Sequence, residues 1–234
     1  MILDVSSFKI KAFLVLMFSL QVFMWSKTTH ILPKLEIVPE VPSLNQTRAM
    51  ALGDEQLYFR YLALYIQNCG DSFGRFTALK NYDYKLLLKW MLLLDKLDSK
   101  SNFTPAIASY YYSNTQNIPD VRYIIEYLEQ HYDLDPKTKW WWLSQGIILA
   151  QSKLKDKSLS LRLAYKLSSS PAEDIPIWAR QMPAFILAEL GDKEQAMLII
   201  KDVATRYRNY SKRELDFMNY FIRDRLGFLN ESIK

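Results

Sequence analysis

The sequence predicts an all-α protein, in which antiparallel helix hairpins are stacked in a row behind one N-terminal transmembrane helix. Three observations support this fold class. Half of the 234 residues are apolar, and the 6 glycines and 9 prolines are too few for the turns of a sheet-rich protein. An uncharged apolar segment follows the N-terminus. Farther along the chain, helix ends recur at intervals of about 36 residues.

Charge and cysteine content narrow the possible functions. The chain carries 30 basic and 25 acidic residues, a net charge of +5, without a long run of either sign. We expect no nucleic-acid partner, because nucleic-acid-binding domains concentrate their basic residues in a patch. Weak attraction to an anionic membrane is compatible with this charge. The single cysteine, Cys69, excludes an intramolecular disulfide and a cysteine-cluster metal site, and we interpret it as a small buried side chain near a helix end.

The N-terminal segment Ala12–Trp25 contains no charged residue, is preceded by Lys9 and Lys11, and is followed by Lys27. Counted from Phe8, with the two lysines reaching toward headgroups, a helix here spans about 27 Å, slightly less than a hydrocarbon core of about 30 Å. We predict an uncleaved signal-anchor, because no small-x-small cleavage site follows the apolar run. A cleaved export signal and a buried helix of a soluble protein are the alternatives.

The chain divides into six predicted regions. A short tail before a first apolar segment usually stays in the cytoplasm, so we expect a single-pass protein of a bacterial inner membrane with its main domain on the periplasmic, extracytoplasmic side. Three prolines among extended-type residues predict a semi-rigid stalk after the anchor. The regions are a cytoplasmic tail (1–11), a transmembrane signal-anchor (12–28), a proline-rich stalk (29–43), N-terminal helices (44–98), helical repeats (99–208) and a C-terminal capping helix (209–234).

The N-terminal helices of the body begin with a pattern that runs from about Leu44 to Asn68, with Ser43 or Asn45 as its cap. The next pattern, Tyr82–Leu97, is apolar almost all round, which predicts a helix covered on several sides. Its charged residues and its length argue against a second membrane span. One face of the first helix is predicted to carry Leu57, Tyr61, Leu64 and Tyr65.

Seven further helix patterns follow, joined by short connections, so successive helices are expected to pack antiparallel. The dipeptides Thr104-Pro105 and Asp135-Pro136 each predict an N-cap followed by proline in the first turn. Gly191-Asp192 predicts the end of one helix and the start of the next. The predicted helices are Thr104–Thr115, Asp120–Tyr132, Pro136–Leu154, Lys157–Leu167, Pro176–Leu190, Lys193–Arg206 and Ser211–Leu229.

Helix-end signals recur at a nearly constant distance. The steps are 37, 35 and 37 residues, measured from Asp98 to Asp135, from Pro136 to Pro171 and from Pro171 to Arg208. Each interval holds two predicted helices. A period near 34 residues with two helices per unit is typical of helical repeat arrays.

Two segments carry a family resemblance. Leu187–Ala196, with apolar residues continuing to Val203, resembles the turn and second helix of a tetratricopeptide repeat. Trp142–Leu149 resembles the opening W-x2-L-G-x2-Y pattern of the unit, with Gln145 and Leu149 as departures. The resemblance extends over about 99–208 and implies a right-handed array of helix pairs, with the helix from Ser211 as a terminal cap.

The same resemblance implies that the first helix of each unit lines a concave groove for a protein partner. Gly146 and Ala196 would lie where helices cross closely, because a larger side chain forces such helices apart. The groove would be apolar, without the lysine and asparagine set that clamps a peptide carboxylate. The alternative is that its residues pack between repeats. The residues expected to bind the partner are Trp140, Leu143 and Ile147 from one unit, and Trp178, Gln181 and Phe185 from the next.

Aromatic triplets indicate where the surface is open. Trp140–Trp142 point in three directions about 100° apart on one helix, so the core can bury one or two of them but hardly all three. At least one tryptophan is therefore expected to be exposed. Tyr110–Tyr112 raises the same expectation one unit earlier.

The sequence provides no recognisable catalytic set. No phosphate-binding or nucleophile-elbow motif occurs. The two histidines, His30 and His131, fall in different elements, so we expect no metal site and no catalytic triad. Glu126 and Glu129 are interpreted as a solvated helix face. We predict no enzymatic activity and no cofactor.

Together these patterns predict a membrane-anchored scaffold or assembly factor that binds another protein in the cell envelope. Its partners would be that protein and, through the N-terminal helix, the membrane. The alternative is a membrane-bound enzyme, or a subunit of one, that acts on a lipid or cell-wall substrate. That alternative predicts a closed cavity with convergent carboxylates.

Overall fold

The computed structural model describes residues 5–29, 36–71, 76–207 and 210–233. Within these ranges the chain forms α-helices and short helical turns of tighter or wider pitch, without a β-strand, which confirms the all-α prediction. Two compact units divide the chain, Met1–Glu36 and Ile37–Lys234. In the described ranges the α-helices are α1 (Val5–Thr28), α2 (Leu44–Met50), α3 (Glu55–Gln67), α4 (Tyr84–Leu97), α5 (Phe103–Ala106), α6 (Val121–Leu134), α7 (Pro136–Leu149), α8 (Lys157–Ser168), α9 (Ile177–Arg180), α10 (Met182–Leu190), α11 (Lys193–Arg206) and α12 (Lys212–Tyr220).

Helix α1 forms most of the described part of the N-terminal unit. Its segment Lys9–Thr28 is 20 residues long, has a mean hydropathy of 1.4, and is not buried. A helix of this length spans about 30 Å, which matches the hydrocarbon core of a bilayer. The predicted N-terminal helix is thus long and apolar enough to cross a membrane, and Lys9 and Lys11 lie within it.

The proline-rich segment after α1 packs on the body from Ile37 onward. Val38 is buried, and Ile37 and Val41 pack against the same core. The indole Nε1 of Trp90 donates a hydrogen bond to the carbonyl of Pro39 at 2.8 Å. The apolar residues among the prolines explain this packing, because they bury surface that an isolated stalk would expose. Of the predicted stalk, His30 and Pro33 lie outside the described residues.

The predicted first helix of the body is two helices, α2 and α3. Ser43 caps α2 through a capping box with Gln46, and Asp54 caps α3. Between them Leu52 and Gly53 adopt the left-handed conformation, with φ of 50° and 94°, which ends α2. The prediction of one continuous helix was therefore wrong at this turn.

The face that periodicity selected on α3 is the exposed one. Its buried residues are Phe59, Leu62, Ala63 and Ile66. The four predicted residues, Leu57, Tyr61, Leu64 and Tyr65, are all exposed. Since α3 carries large apolar side chains on two faces, the pattern alone did not determine which face is inside.

Helix α4 is covered on several sides, as its sequence predicts. Nine of its residues are buried, among them Asp95. The helix packs against α3 and α6. A helix this enclosed forms the centre of the N-terminal half of the core.

The later helices pack in succession along the chain. Contacts join α6 to α7, α7 to α8, α8 to α10, and α10 to α11. The short α9 lies against α8 and α10. Two hydrophobic clusters result, one reaching from Val38 to Ile186 and the other from Ile177 to Leu226. Helices packed in this order are compatible with a helical repeat.

Several predicted helix ends are confirmed by their caps. Asp135 caps α7, with Pro136 in the first turn. Gly191 ends α10 with a φ of 87°, and Asp192 caps α11. Thr104, expected to be a cap, instead lies inside α5, which begins at Phe103. Three helices, α5, α7 and α12, continue beyond their ends as wide turns through Tyr111, Leu154 and Arg225 respectively.

Gly146 on α7 lies against α6, but the space there has room for a Cβ atom, so the close crossing predicted at this position does not require glycine. A Cβ at this position would lie 3.7 Å from the Cβ of Leu128 and 3.8 Å from the Cγ2 of Ile125, which are ordinary contacts. Gly146→Ala is therefore expected to raise the free energy of unfolding by about 0.5–1 kcal/mol, because alanine restricts the unfolded chain. Gly146→Leu is expected to lower it by about 1–3 kcal/mol through overpacking. Urea unfolding of both variants tests this, and equal destabilisation by alanine and leucine would contradict it.

Candidate functional site

The six residues predicted to bind a partner divide into two groups. Leu143, Ile147 and Gln181 are buried in the core and offer almost no surface. Trp140 and Phe185 are half-buried, and Trp178 is exposed. Three of the six predicted residues are therefore accessible. The structure brings Trp140 and Trp178 together and places Phe185 elsewhere.

Tryptophan rings from α7 and α9 form a cluster at the surface. The ring centroids of Trp140 and Trp178 are 5.7 Å apart, those of Trp141 and Trp178 are 6.4 Å apart, and all three rings meet edge to face. The side chains of Trp141 and Trp178 are 40% and 39% exposed. The indole Nε1 of Trp141 donates to the hydroxyl of Tyr110 at 3.2 Å. We call Tyr110, Trp140, Trp141 and Trp178 the aromatic patch.

The three consecutive tryptophans of α7 point in different directions, as helical geometry requires. Trp142 points into the core, where its Nε1 donates to Oδ1 of Asn102 at 3.0 Å. Trp140 and Trp141 lie on the outer side of the same helix. The expectation that at least one of the three is exposed is confirmed. The tyrosine triplet follows the same rule, since Tyr110 is exposed and Tyr112 is buried.

An ion pair lies next to the aromatic patch, but the ring contacts contribute more to its stability. Lys137, at the start of α7, forms an ion pair of 3.3 Å with Asp174, which precedes α9. Both side chains are well exposed, so this pair contributes little to stability. Edge-to-face ring pairs are each worth about 0.5–1.5 kcal/mol beyond their buried area. These contacts hold the three tryptophan rings against one another.

Phe185 lies in a separate cleft between α10 and the last helix. Its ring is 5.1 Å from that of Phe221 and 6.0 Å from that of Phe217. The cleft has a volume of about 420 Å³. Arg225 and Glu189 lie at its edge and carry opposite charges. The other residues of the cleft wall are Ala188 and Tyr220.

A buried polar cluster joins α4, α6 and α7. The Asp95 carboxylate accepts a hydrogen bond from the Tyr127 hydroxyl at 3.0 Å and lies 2.7 Å from Nδ1 of His131. Lys139, on α7, is also buried. In the described part of the chain, Nε2 of His131 and Nζ of Lys139 have no hydrogen-bond partner. The sequence does not predict this cluster, because Asp95 and His131 are 36 residues apart and no motif links them.

Burial shifts the titration of two members of the cluster. Burial raises the pKa of the Tyr127 hydroxyl well above its usual value, and the neighbouring Asp95 charge adds to the shift, so the phenol stays protonated. Burial lowers the pKa of the Lys139 ammonium, although the negative charges of Asp95, Asp135 and Asp98 oppose the shift. Lys139 also lines a polar cleft of about 510 Å³ with Lys100, Asn102 and Thr138.

The cluster acts as a connection between helices. Each hydrogen bond of Asp95 joins α4 to α6, and all members are buried, so they fix how these helices meet. Among the described residues, no group of histidine, cysteine or acidic side chains is arranged to hold a metal ion. Glu129, which was interpreted as a solvated residue, forms ion pairs with Arg162 and Lys166 on α8. These two cations lower the pKa of its carboxyl.

Cys69 is buried near the end of α3, as predicted. Its Sγ lies 3.6 Å from the hydroxyl of Tyr112. Burial raises the pKa of its thiol to about 11, so the thiolate is scarce at neutral pH. The residue is thus a packing element of low reactivity.

Comparison of the chain with protein-family models, with curated proteins and with solved structures finds no match.

Proposed function

We propose that the protein is a membrane-anchored scaffold whose helical body, arranged like tetratricopeptide repeats, binds another protein of the cell envelope through the aromatic patch. The observation that carries this proposal is the group of three tryptophan rings fixed against one another at the surface. The helix α1, long and apolar enough to span a membrane, supports the anchoring. Consecutive packing of the helices supports the repeat arrangement.

Tryptophan and tyrosine are the side chains that most often dominate protein interfaces. They bury a large apolar area while losing little conformational freedom, because each has only two side-chain torsions. In the aromatic patch this freedom is already restricted by ring contacts and by the hydrogen bond between Trp141 and Tyr110. Binding a partner there therefore costs less ordering of side chains than at an ordinary surface.

Affinity capture with truncated variants tests the proposed binding surface. Full-length protein extracted in mild detergent is compared with Trp141→Ala, with Trp178→Ala and with the control Leu198→Ala, which removes an exposed apolar side chain from α11. We expect each tryptophan variant to weaken capture of the partner about 30-fold, equivalent to about 2 kcal/mol. The control should bind like the wild type. Circular dichroism confirms that each variant is folded.

The variant Phe185→Ala tests whether a partner binds the aromatic patch alone or a wider groove that includes Phe185. Because Phe185 lies in the cleft with Phe217 and Phe221, binding by the aromatic patch alone predicts little loss of capture. Loss equal to that of Trp178→Ala would extend the binding surface to α10. Capture that is unchanged in both tryptophan variants would contradict the proposal.

A further inference from the structure

The outward face of α3 is an unusually apolar surface. Leu57, Tyr61 and Leu64 are 65%, 60% and 53% exposed, and they recur at the spacing of one helix face. Met50, at the end of α2, is also exposed and accepts a hydrogen bond from the Tyr58 hydroxyl at its sulfur, at 3.5 Å. We call Met50, Leu57, Tyr61 and Leu64 the outer α3 face. Contiguous exposed apolar side chains of this kind usually mark a contact surface.

Stacked tyrosines run along this surface. The ring centroids of Tyr58 and Tyr61 are 5.9 Å apart, and those of Tyr61 and Tyr65 are 6.3 Å apart. Tyrosine has an apolar ring and a polar hydroxyl, so it is enriched where hydrocarbon meets water at membrane surfaces. The outer α3 face therefore has the composition of an interfacial helix.

A cleft beside the outer α3 face adds positive charge. Phe59, Ala63 and Phe103 form apolar walls of a cleft of about 480 Å³, and Arg60 and Lys100 also line it. The side chains of both cations are exposed, and neither forms an ion pair within the described residues. Asp98, also at the cleft, accepts a hydrogen bond from the backbone N–H of Lys100 at 3.0 Å. An anionic headgroup beside apolar chains matches this combination.

A short segment of chain connects α1 to the body. Residues 30–36 separate Thr29, which directly follows α1, from Ile37, where the body begins. Covalent geometry limits a chain to about 3.6 Å per residue, so a segment of this length is a short tether. The helices α2 and α3 are the first helices of the body after this tether. If α1 spans a membrane, the body is held continuously at high local concentration beside it.

We propose that the outer α3 face lies on the surface of the lipid bilayer that holds α1, with Leu57, Tyr61 and Leu64 in the interfacial zone and Arg60 and Lys100 toward anionic headgroups. The proposal rests on α1 as a membrane span and is independent of the aromatic patch. An anionic bilayer suits this face better than a second copy of the chain, because the two cations of the cleft, Arg60 and Lys100, outnumber its one acidic residue, Asp98, so a second copy would bring the same excess of positive charge to the contact.

Depth-dependent quenching tests the proposal on the full chain. The variants Leu57→Cys and Leu198→Cys, matched as exposed leucines on α3 and α11, are labelled with an NBD maleimide. The native Cys69 stays unlabelled at neutral pH because it is buried. The proteins are reconstituted into phosphatidylcholine vesicles with and without phosphatidylglycerol, and a nitroxide lipid serves as the quencher.

We expect the probe at position 57 to shift its emission to the blue and to lose fluorescence to shallow nitroxide lipids. The probe at position 198 should show neither effect. Arg60→Gln combined with Lys100→Gln should abolish any gain in quenching that phosphatidylglycerol produces. These two cations lie beside the face and not within its apolar part, so the folded state should be retained.

Three outcomes would overturn the proposal. Equal quenching at positions 57 and 198 would show that the outer α3 face has no preference for lipid. A blue shift at position 57 that depends on protein density and not on nitroxide lipid would identify a second copy of the chain as the occupant. A chain that does not float with the vesicles on a density gradient would show that α1 does not anchor it.

Discussion

Arg180→Met is expected to lower the free energy of unfolding by about 3–5 kcal/mol, because it leaves several buried acceptors without a donor. Arg180 is fully buried, and its Nη1 donates to the carbonyls of Ser168 and Ser170 at 3.1 and 2.8 Å. The same nitrogen donates to the Tyr207 hydroxyl at 2.8 Å, and Nη2 donates to the carbonyl of Ala172.

This guanidinium fixes the loop between α8 and α9 to the C-terminal half of the body. It also lies over the ring of Tyr207, 3.9 Å from the ring centroid, which adds a cation–π contact. Burial lowers the pKa of the guanidinium, but arginine remains charged in proteins. Arg180→Lys should be nearly as destabilising, since a lysine lacks the planar fork that reaches separate carbonyls.

Urea unfolding provides the measurement for Arg180. The control is Arg206→Ala, which breaks an exposed ion pair with Asp202 and is expected to change stability by less than about 1 kcal/mol. A loss at Arg180 no larger than that of the control would show that the loop carbonyls find other donors.

Asp95→Ala is the second change with a large expected effect. It removes the acceptor for the Tyr127 hydroxyl and for Nδ1 of His131, both of which are buried. Leaving buried polar groups without partners costs about 3–5 kcal/mol when one member of a buried pair is removed. The expected result is a strong loss of stability, measured by thermal or urea unfolding. Asp174→Ala, at an exposed ion pair, is the control and should have little effect.

Apolar replacement of the three hydrogen-bonded residues of the cluster tests whether their polar contacts stabilise the fold. The triple variant Asp95→Leu, Tyr127→Phe, His131→Leu replaces all three hydrogen-bonded members of the cluster and keeps Lys139, so none of the three is left without a partner and part of the stability lost in Asp95→Ala should return. If the triple variant is less stable than Asp95→Ala, the polar contacts themselves contribute the stability. The proposed binding through the aromatic patch should be unchanged in the triple variant, because the patch consists of other residues.

Local sequence signals predicted much of the fold. The uncharged segment predicted α1, and the apolar run Tyr82–Leu97 predicted the buried α4. The caps at Asp135 and Asp192 were predicted correctly, because a cap depends only on neighbouring residues. The break at Leu52 and Gly53 was missed, since a leucine in the left-handed conformation is rare.

The sequence predicted where helices lie better than it predicted which face of each helix is buried. Both faces of α3 are apolar. Phe59 and Leu62 are buried in the core, whereas Leu57 and Tyr61 are exposed. On α7 the apolar residues surround the helix, so periodicity did not separate Leu143, which is buried, from Trp141, which is exposed. Only packing against the neighbouring helices decides these directions.

The polar cluster was not predicted, because its residues come from distant parts of the chain. Asp95 and His131 are 36 residues apart, one helix-pair interval, and neither carries a motif that marks the other. The aromatic patch was partly predicted, because three consecutive tryptophans on a helix cannot all be buried. That Trp178 joins Trp140 and Trp141 depends on how α9 packs beside α7, which only the structure shows.

Photo-crosslinking in intact cells tests the proposed binding surface most directly. The full chain carries p-benzoylphenylalanine in place of Trp178 in one strain and in place of Leu198 in another. Binding through the aromatic patch predicts one crosslinked envelope protein from position 178, lost when Trp141→Ala is added, and none from position 198. No crosslink from position 178, or the same crosslinks from both positions, would contradict it.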